Sequence, residues 1–411
     1  MFDLEKYGDV IIAEPNSFPV DKTPEELICG ALDNPCGSGP LLEEFIRGAR
    51  NIIIIVNDAT RPTPTPIILK RLFEKISHAG LKKENITILV ATGAHRPPAE
   101  DEYMEILGGL YNTLRSRCIH HDCHNSKEMK DLGLTGNGTP VKLNKLLFDA
   151  DKIIVTGSVE PHYFAGFTGG RKAFLPGLAS FETIEANHKL ALSPNARSLA
   201  LKGNPVHEDM MDALKLIKAP VFSIMAVLDK NNSPAAIKAG DIIESFNAAA
   251  ETARKIFCVR VPCQADIVVS VAKYPMDIDL YQSQKAIDNG ALILNNGGFL
   301  ILVSSCRKGI GDETYAGLLS QAASPAEALE LIKNEFRLGY HKAAKMAAVS
   351  QRASIMAVTE LAPEQLKKMF IKSAASVQTA MDEAISSLAA RGIDKPKIVF
   401  LPDGCVTVPE L

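Results

Sequence analysis

Asn51 to Pro97 reads NIIIIVNDATRPTPTPIILKRLFEKISHAGLKKENITILVATGAHRP. Four isoleucines and a valine run without alternation from Ile52 to Val56, the pattern of a strand buried on both faces of a parallel sheet. The prolines at 62, 64 and 66 keep Ala59–Pro66 out of a helix, so Asp58, Thr60 and Arg61 are displayed on a stiff strand-exit loop. The helix IILKRLFEKISHAG follows and Gly80 ends it. A second strand, Ile86 to Ala91, leads into a Thr92-Gly93 turn and then His95-Arg96 before two prolines. Strand, helix and strand in this order predict a parallel α/β sheet, and polar groups gather at its carboxyl edge, where such sheets bind ligands.

The same plan recurs downstream. KIIVTG, Lys152 to Gly157, is of strand length, and it opens onto Ser158 to His188, SVEPHYFAGFTGGRKAFLPGLASFETIEANH. That segment holds His162 between Pro161 and an aromatic pair, a Gly169-Gly170-Arg171-Lys172 turn, a Pro176-Gly177 turn and a helix capped by Ser180 that ends in His188. Leu132 to Pro140 reads as a hairpin or connecting loop, NPVHEDMMDALKLI as an amphipathic helix with a structural His207, and APVFSIMAVLD as a strand. Between Phe257 and Ala265 a long helix gives way to a renewed strand pattern, with Ile267 to Ala272 and GGFLILVSSC as strands and helices from Pro325 to Arg391. We therefore expect an α/β protein of two domains with mainly parallel sheets and an interdomain active-site cleft. Residues 1–262 form an N-terminal domain, 263–395 a C-terminal domain, and 396–411 a terminal strand free to return to the N-terminal domain.

At 411 residues and 46% hydrophobic the chain has material for two cores. A net charge of −3 gives no electrostatic reason for a nucleic-acid or membrane partner, which favours a small molecule. The amino terminus, MFDLEKYGDVIIAEP, lacks a basic n-region, no apolar run approaches the roughly 18 residues of a spanning helix, and a cytoplasmic protein is expected. Eight scattered cysteines argue for reduced thiols. HHDCHN, His120 to Asn125, lacks the second ligand pair of a structural zinc site and reads as a polar strand and loop. GIGD at Gly309 and NNGG at Asn295 do not open helices as a dinucleotide fingerprint does.

DATR, GAHRP, EPHYFAGFTGGRK, EANH and LYQSQKA together resemble the signature of the nickel-pincer lactate racemase family, over roughly residues 50 to 310. His162 stands ten positions before Lys172 and His188 sixteen after it, the family's spacing. The resemblance implies a nickel-pincer nucleotide (a pyridinium-3-thioamide-5-thiocarboxylic acid mononucleotide) joined covalently to Lys172, with His188 as the nickel ligand. It implies His95 and His162 as catalytic bases and Arg61, Gln282 and Lys285 as substrate-binding residues. Asp58, Thr60, Gly169, Gly170 and Arg171 are expected on the cofactor side, with Asp58 orienting a histidine and the Gly169-Gly170 amides near the phosphate. Cofactor-maturation proteins are implied as partners.

The residue types suit that chemistry. Taking the α-proton of a 2-hydroxy acid would leave a carbanion beside a carboxylate, whereas removing the hydroxyl proton as hydride departs leaves a planar keto acid. Two histidines on opposite sides serve the two enantiomers, and arginine or lysine holds the carboxylate. The competing expectations are a zinc-dependent hydrolase or lyase built on the histidines and a non-catalytic binding protein of the same fold.

Overall fold

The isoleucine run becomes β1 (Ile52–Asn57), whose first five residues are all buried. It lies in a six-stranded sheet with β2 (Ile86–Ala91), β3 (Cys118–His120), β4 (Lys152–Ser158), β5 (Val221–Leu228) and β6 (Pro234–Asp241), in the order β6-β5-β4-β1-β2-β3. Every pairing is parallel except β6 against β5. From β1 the chain winds outward through β2 to β3 and then returns to the other side of β1 as β4. Strand order thus reverses between β1 and β4, and their carboxyl ends flank a topological switch point.

Helix α1 (Thr65–His78) covers this sheet with Ile68, Leu69, Leu72, Phe73 and Ile76 buried. It starts inside the proline stretch rather than after it, because Pro66 sits in the first turn, where its missing N–H removes no helical bond. Met129–Leu134 and Pro140–Asn144 pair antiparallel, so the Gly- and Thr-rich segment between them is a hairpin.

The computed structural model describes residue 7 and residues 9–411; the remaining amino-terminal positions, part of the stretch read above as lacking a basic leader, lie outside the described residues. The chain divides into two compact units, residues 18–255 and a second unit made of the residues up to Ser17 with 256–411. The second unit has its own six-stranded parallel sheet, in the order Val10–Ile12, Ile398–Leu401, Ala265–Val271, Leu294–Val303, Ser354–Val358 and Ile371–Ser373.

Four sequence expectations differ from this arrangement. Val10–Ile12 falls within the expected N-terminal domain, yet it pairs with Ile398–Phe400 of the second unit. The terminal strand Ile398–Leu401 pairs with Ala265–Val271 in that same unit. The division falls before residue 262 because Cys258–Arg260 forms a small parallel pair with Val408–Glu410. The stretch from Pro325 to Arg391 is not helical throughout either: Ser354–Val358 and Ile371–Ser373 are strands, and Ile355 and Met356 are buried.

Candidate active site

Asp58 follows the last residue of β1 and is 7% exposed. Its Oδ1 accepts the Thr60 backbone N–H at 3.1 Å and the Thr60 hydroxyl at 2.5 Å, and its Oδ2 lies 2.7 Å from His95 Nδ1. Burial works against ionisation of this carboxyl, but the hydrogen bond and charge of His95, the Thr60 hydroxyl and the Arg61 charge together hold it below its ordinary value. The Arg61 amide donates to the Asp58 carbonyl at 3.2 Å, closing the turn that presents both side chains. His95 reaches Asp58 from the exit of β2, where its amide donates to Thr92 O at 3.0 Å, and its own side chain is half exposed. A carboxylate on Nδ1 fixes the imidazole so that Nε2 faces outward, free to take or give a proton.

β4 ends in a tight hairpin that pairs Pro161–His162 with Gly166–Phe167. His162 Nδ1 accepts the Ala165 amide at 3.3 Å, and its Nε2 lies 3.1 Å from Lys172 Nζ. Lys172 rides on a short 3-10 turn, Gly170–Ala173, entered through Gly169 at φ 79 and Gly170 at φ 54. Side chains are disfavoured at both positions: a Cβ on Gly169 would stand 2.6 Å from Val159, and one on Gly170 2.9 Å from Phe246.

The helix α2 (Phe181–Lys189), capped by Ser180 Oγ accepting from the Thr183 amide, carries His188. Phe164 meets His162 edge-on at 4.5 Å and His188 edge-on at 5.1 Å, so one buried ring spaces the two imidazoles. Burial, followed by the Lys172 charge, pushes His188 down to about 3 and keeps it neutral, the form that ligates metals.

Two further links tie the strand exits together. Asn57 Nδ2 donates to Thr63 Oγ1 at 2.8 Å, and that hydroxyl donates to Ser158 Oγ at 3.1 Å, joining β1 to β4. The Gly93 amide donates to Gly177 O at 3.0 Å, joining the β2 exit to the turn after Lys172. Asp58, Thr60, Arg61, His95, His162, Lys172 and His188 all belong to one unit, His188 on α2 and the others on the segments that follow β1, β2 and β4. Arg171 faces the other way from solvent, 1% exposed, with NH2 donating to Ala165 O at 2.6 Å and NH1 to Gly169 O at 3.3 Å. Gln282 and Lys285 lie on α3 (Leu280–Gly290) of the second unit, where Asp279 caps the helix by accepting the Gln282 amide at 2.7 Å and Lys285 Nζ donates to Met276 Sδ at 3.2 Å.

Sequence reasoning missed Phe164, Thr63 and Ser158 as organisers of the site. The aromatic beside His162 was the one available signal. The HHDCHN cluster is structural: buried His121 donates from Nε2 to Ala179 O at 2.9 Å and accepts from Asn144 at 3.2 Å, His120 meets the Tyr103 hydroxyl at 2.9 Å, and His124 stacks on Phe181. Among the described residues no group of three or more His, Cys, Asp or Glu side chains stands where it would hold a metal ion.

Two family models match the chain, the lactate racemase N-terminal domain over residues 1–199 and the lactate racemase C-terminal domain over residues 261–408. The chain belongs to the lactate racemase family. Its relatives include the lactate racemases of Thermoanaerobacterium thermosaccharolyticum, 31% identical, and Lactiplantibacillus plantarum, 33% identical, each alignment covering 98% of this chain and 95% of the relative. The lactate racemase apoprotein of T. thermosaccharolyticum has the same fold, with a TM-score of 0.91 at 30% identity over 100% of this chain and 97% of that one. A Thermotoga maritima protein, 18% identical, shares the fold at a TM-score of 0.71, with 96% of this chain and 100% of that chain covered. This member of the lactate racemase family is accordingly an isomerase of two α/β units, and among its described residues no helix is long and apolar enough to cross a membrane.

Proposed function

We propose that the protein interconverts the enantiomers or epimers of a 2-hydroxy acid, lactate or a related acid, by reversible hydride transfer to a nickel-pincer nucleotide covalently held at Lys172. The observation that carries this reading is the pair of histidines at the exits of β2 and β4, the two strands that flank β1, each held by a second side chain: His95 by Asp58 at 2.7 Å and His162 by Lys172 at 3.1 Å. An enzyme that works on both hands of one carbon needs a proton acceptor for each hand, and this pair supplies two.

The residues fit the nucleotide. Lys172 offers a primary amine at a glycine-entered turn, and His188 is a neutral imidazole. No set of three protein ligands stands among the described residues, so a metal at His188 needs its other donors from a bound group. When bound, the group supplies an electrophilic ring that takes hydride from the substrate α-carbon and gives it back to either face.

The remaining chemistry belongs to the chain. His95 takes the hydroxyl proton of one enantiomer at Nε2 while Asp58 stabilises the imidazolium that results, and His162 is the base for the other enantiomer. Arg61, one turn from Asp58, holds the substrate carboxylate through its planar fork. Gln282 and Lys285 are proposed to contact substrate as well, and cofactor-maturation proteins to load the chain.

Intact-mass and nickel measurements on protein made beside a cofactor-synthesis pathway test the anchor. Wild type should carry a covalent addition and nickel, Lys172→Ala should lose the addition entirely, and His188→Ala should keep some of it while retaining less nickel. A Lys172→Ala chain with an unchanged mass addition would end the anchor assignment.

A further inference from the structure

The Gly-Gly-Arg-Lys turn places two cations side by side, and they point in different directions. Lys172 is partly exposed, whereas Arg171 is among the largest fully buried side chains of the protein. A guanidinium taken out of water is ordinarily matched by a carboxylate. Here it is not. Its two terminal nitrogens donate to the carbonyls of Ala165 and Gly169, its Nε is buried with no partner among the described residues, and its Cζ lies 4.4 Å from the centre of the Phe246 ring. The same ring packs against Gly170 and stacks with His207 at 6.2 Å. Burial pushes Arg171 down to about 9, which leaves it charged at neutral pH.

The carbonyls it grips define its purpose. Ala165 is the residue whose amide donates to His162 Nδ1, and Gly169 is the residue whose carbonyl accepts the Lys172 amide at 3.1 Å. One planar fork thus clamps both ends of the loop that brings His162 Nε2 to 3.1 Å from Lys172 Nζ. We propose that Arg171 is a positioning residue: it touches neither substrate nor nucleotide but fixes Lys172 and His162 relative to each other through the Ala165 and Gly169 carbonyls, with Phe246 as the platform. This rests on the reading that Lys172 is the anchor and His162 a catalytic base. A buried ion without a counter-ion carries a desolvation penalty that no ion pair offsets, and what the guanidinium supplies in return is geometric: lysine cannot reach two carbonyls in one plane.

The test compares wild type, Arg171→Lys, Arg171→Met and Phe246→Leu. Each purified chain is exposed to the nickel-pincer nucleotide, the addition on Lys172 is followed by mass, and the loaded fraction is assayed for kcat and KM on a 2-hydroxy acid, with circular dichroism as the check on folding. Arg171→Lys, which keeps the charge and loses the fork, should not rescue. Adduct formation and kcat should each fall about tenfold or more, as sub-ångström to ångström misplacement does, with KM within about twofold of wild type. Phe246→Leu should move both in the same direction by less, and it decides the matter if the Arg171 variants do not fold. A raised KM at unchanged kcat would make Arg171 a substrate contact, and wild-type rates in Arg171→Lys and Phe246→Leu would remove any positioning role; either result overturns the inference. A wild-type chain that forms no adduct would overturn the anchor reading beneath it, an outcome distinct from adduct formation that is equal in all four chains.

Discussion

Asp58 and His95 act as one unit, and their pairing sets what single substitutions should do. Asp58→Asn keeps the volume but replaces the carboxylate oxygen at 2.7 Å from His95 Nδ1 with a neutral group. The imidazole then loses the charge that supports its protonated form, and kcat should drop by about 10²–10⁴-fold with little change in KM, measured in both reaction directions. Because the folded Asp58 carboxyl titrates below its ordinary value, its ionised form stabilises the folded chain above that ordinary value. The contribution is lost as pH falls through the depressed one.

His207 gives the same sign from a different cause. Burial, with the Arg171 charge, pushes it from 6.5 down to about 3, so between those values the unfolded chain binds a proton that the folded chain refuses. Stability should therefore fall as pH drops from 6.5, and His207→Gln should flatten that limb, as read by urea denaturation at pH 7 and 4.5. Much of the candidate site was legible at this scale, since Asp58, His95 and His162 stand within a few residues of the ends of apolar runs of strand length. The inward turn of Arg171 was not, because two glycines before two cations give no sign of which cation faces the core.

Among elements, the turn after Lys172 is held between the exit of β2 and its own carbonyls. A Cβ on Gly177 would lie 2.4 Å from Ala173 O and 2.9 Å from the Ala91 side chain, one of them backbone that has little room to move. Gly177→Ala should cost about 2–4 kcal/mol and slow adduct formation on Lys172 at the same time, measured by thermal melting and by mass. Within the sheet around β1, the strands β1, β2, β4 and β5 were readable because each is a nearly continuous apolar run, whereas β6, PAAIKAGD, alternates small and polar residues and was not. Ser354–Val358 was not readable: five residues between alanine-rich helices carry no period that separates a short buried strand from a turn of helix.

At the scale of the whole chain, the sequence suggests two α/β halves, but the amino-terminal strand crosses over. Val10–Ile12 is too short to reveal its partner, and its place is set by pairing with Ile398–Phe400 far along the chain. Removing residues 1–17 should strip an edge strand from the second unit, lowering its melting transition while residues 18–255 keep theirs, as read by hydrogen exchange on each unit. One measurement tests the hydride mechanism directly. A 2-hydroxy acid deuterated at its α-carbon is racemised in ordinary water by the loaded protein, and the product is examined for its label. Hydride transfer predicts that the opposite enantiomer largely keeps its deuterium, with a primary isotope effect where transfer limits the rate. Loss of the label to solvent at the rate of racemisation would mean that His95 or His162 removes the α-hydrogen as a proton, and it would contradict the account even with nickel bound and turnover fast.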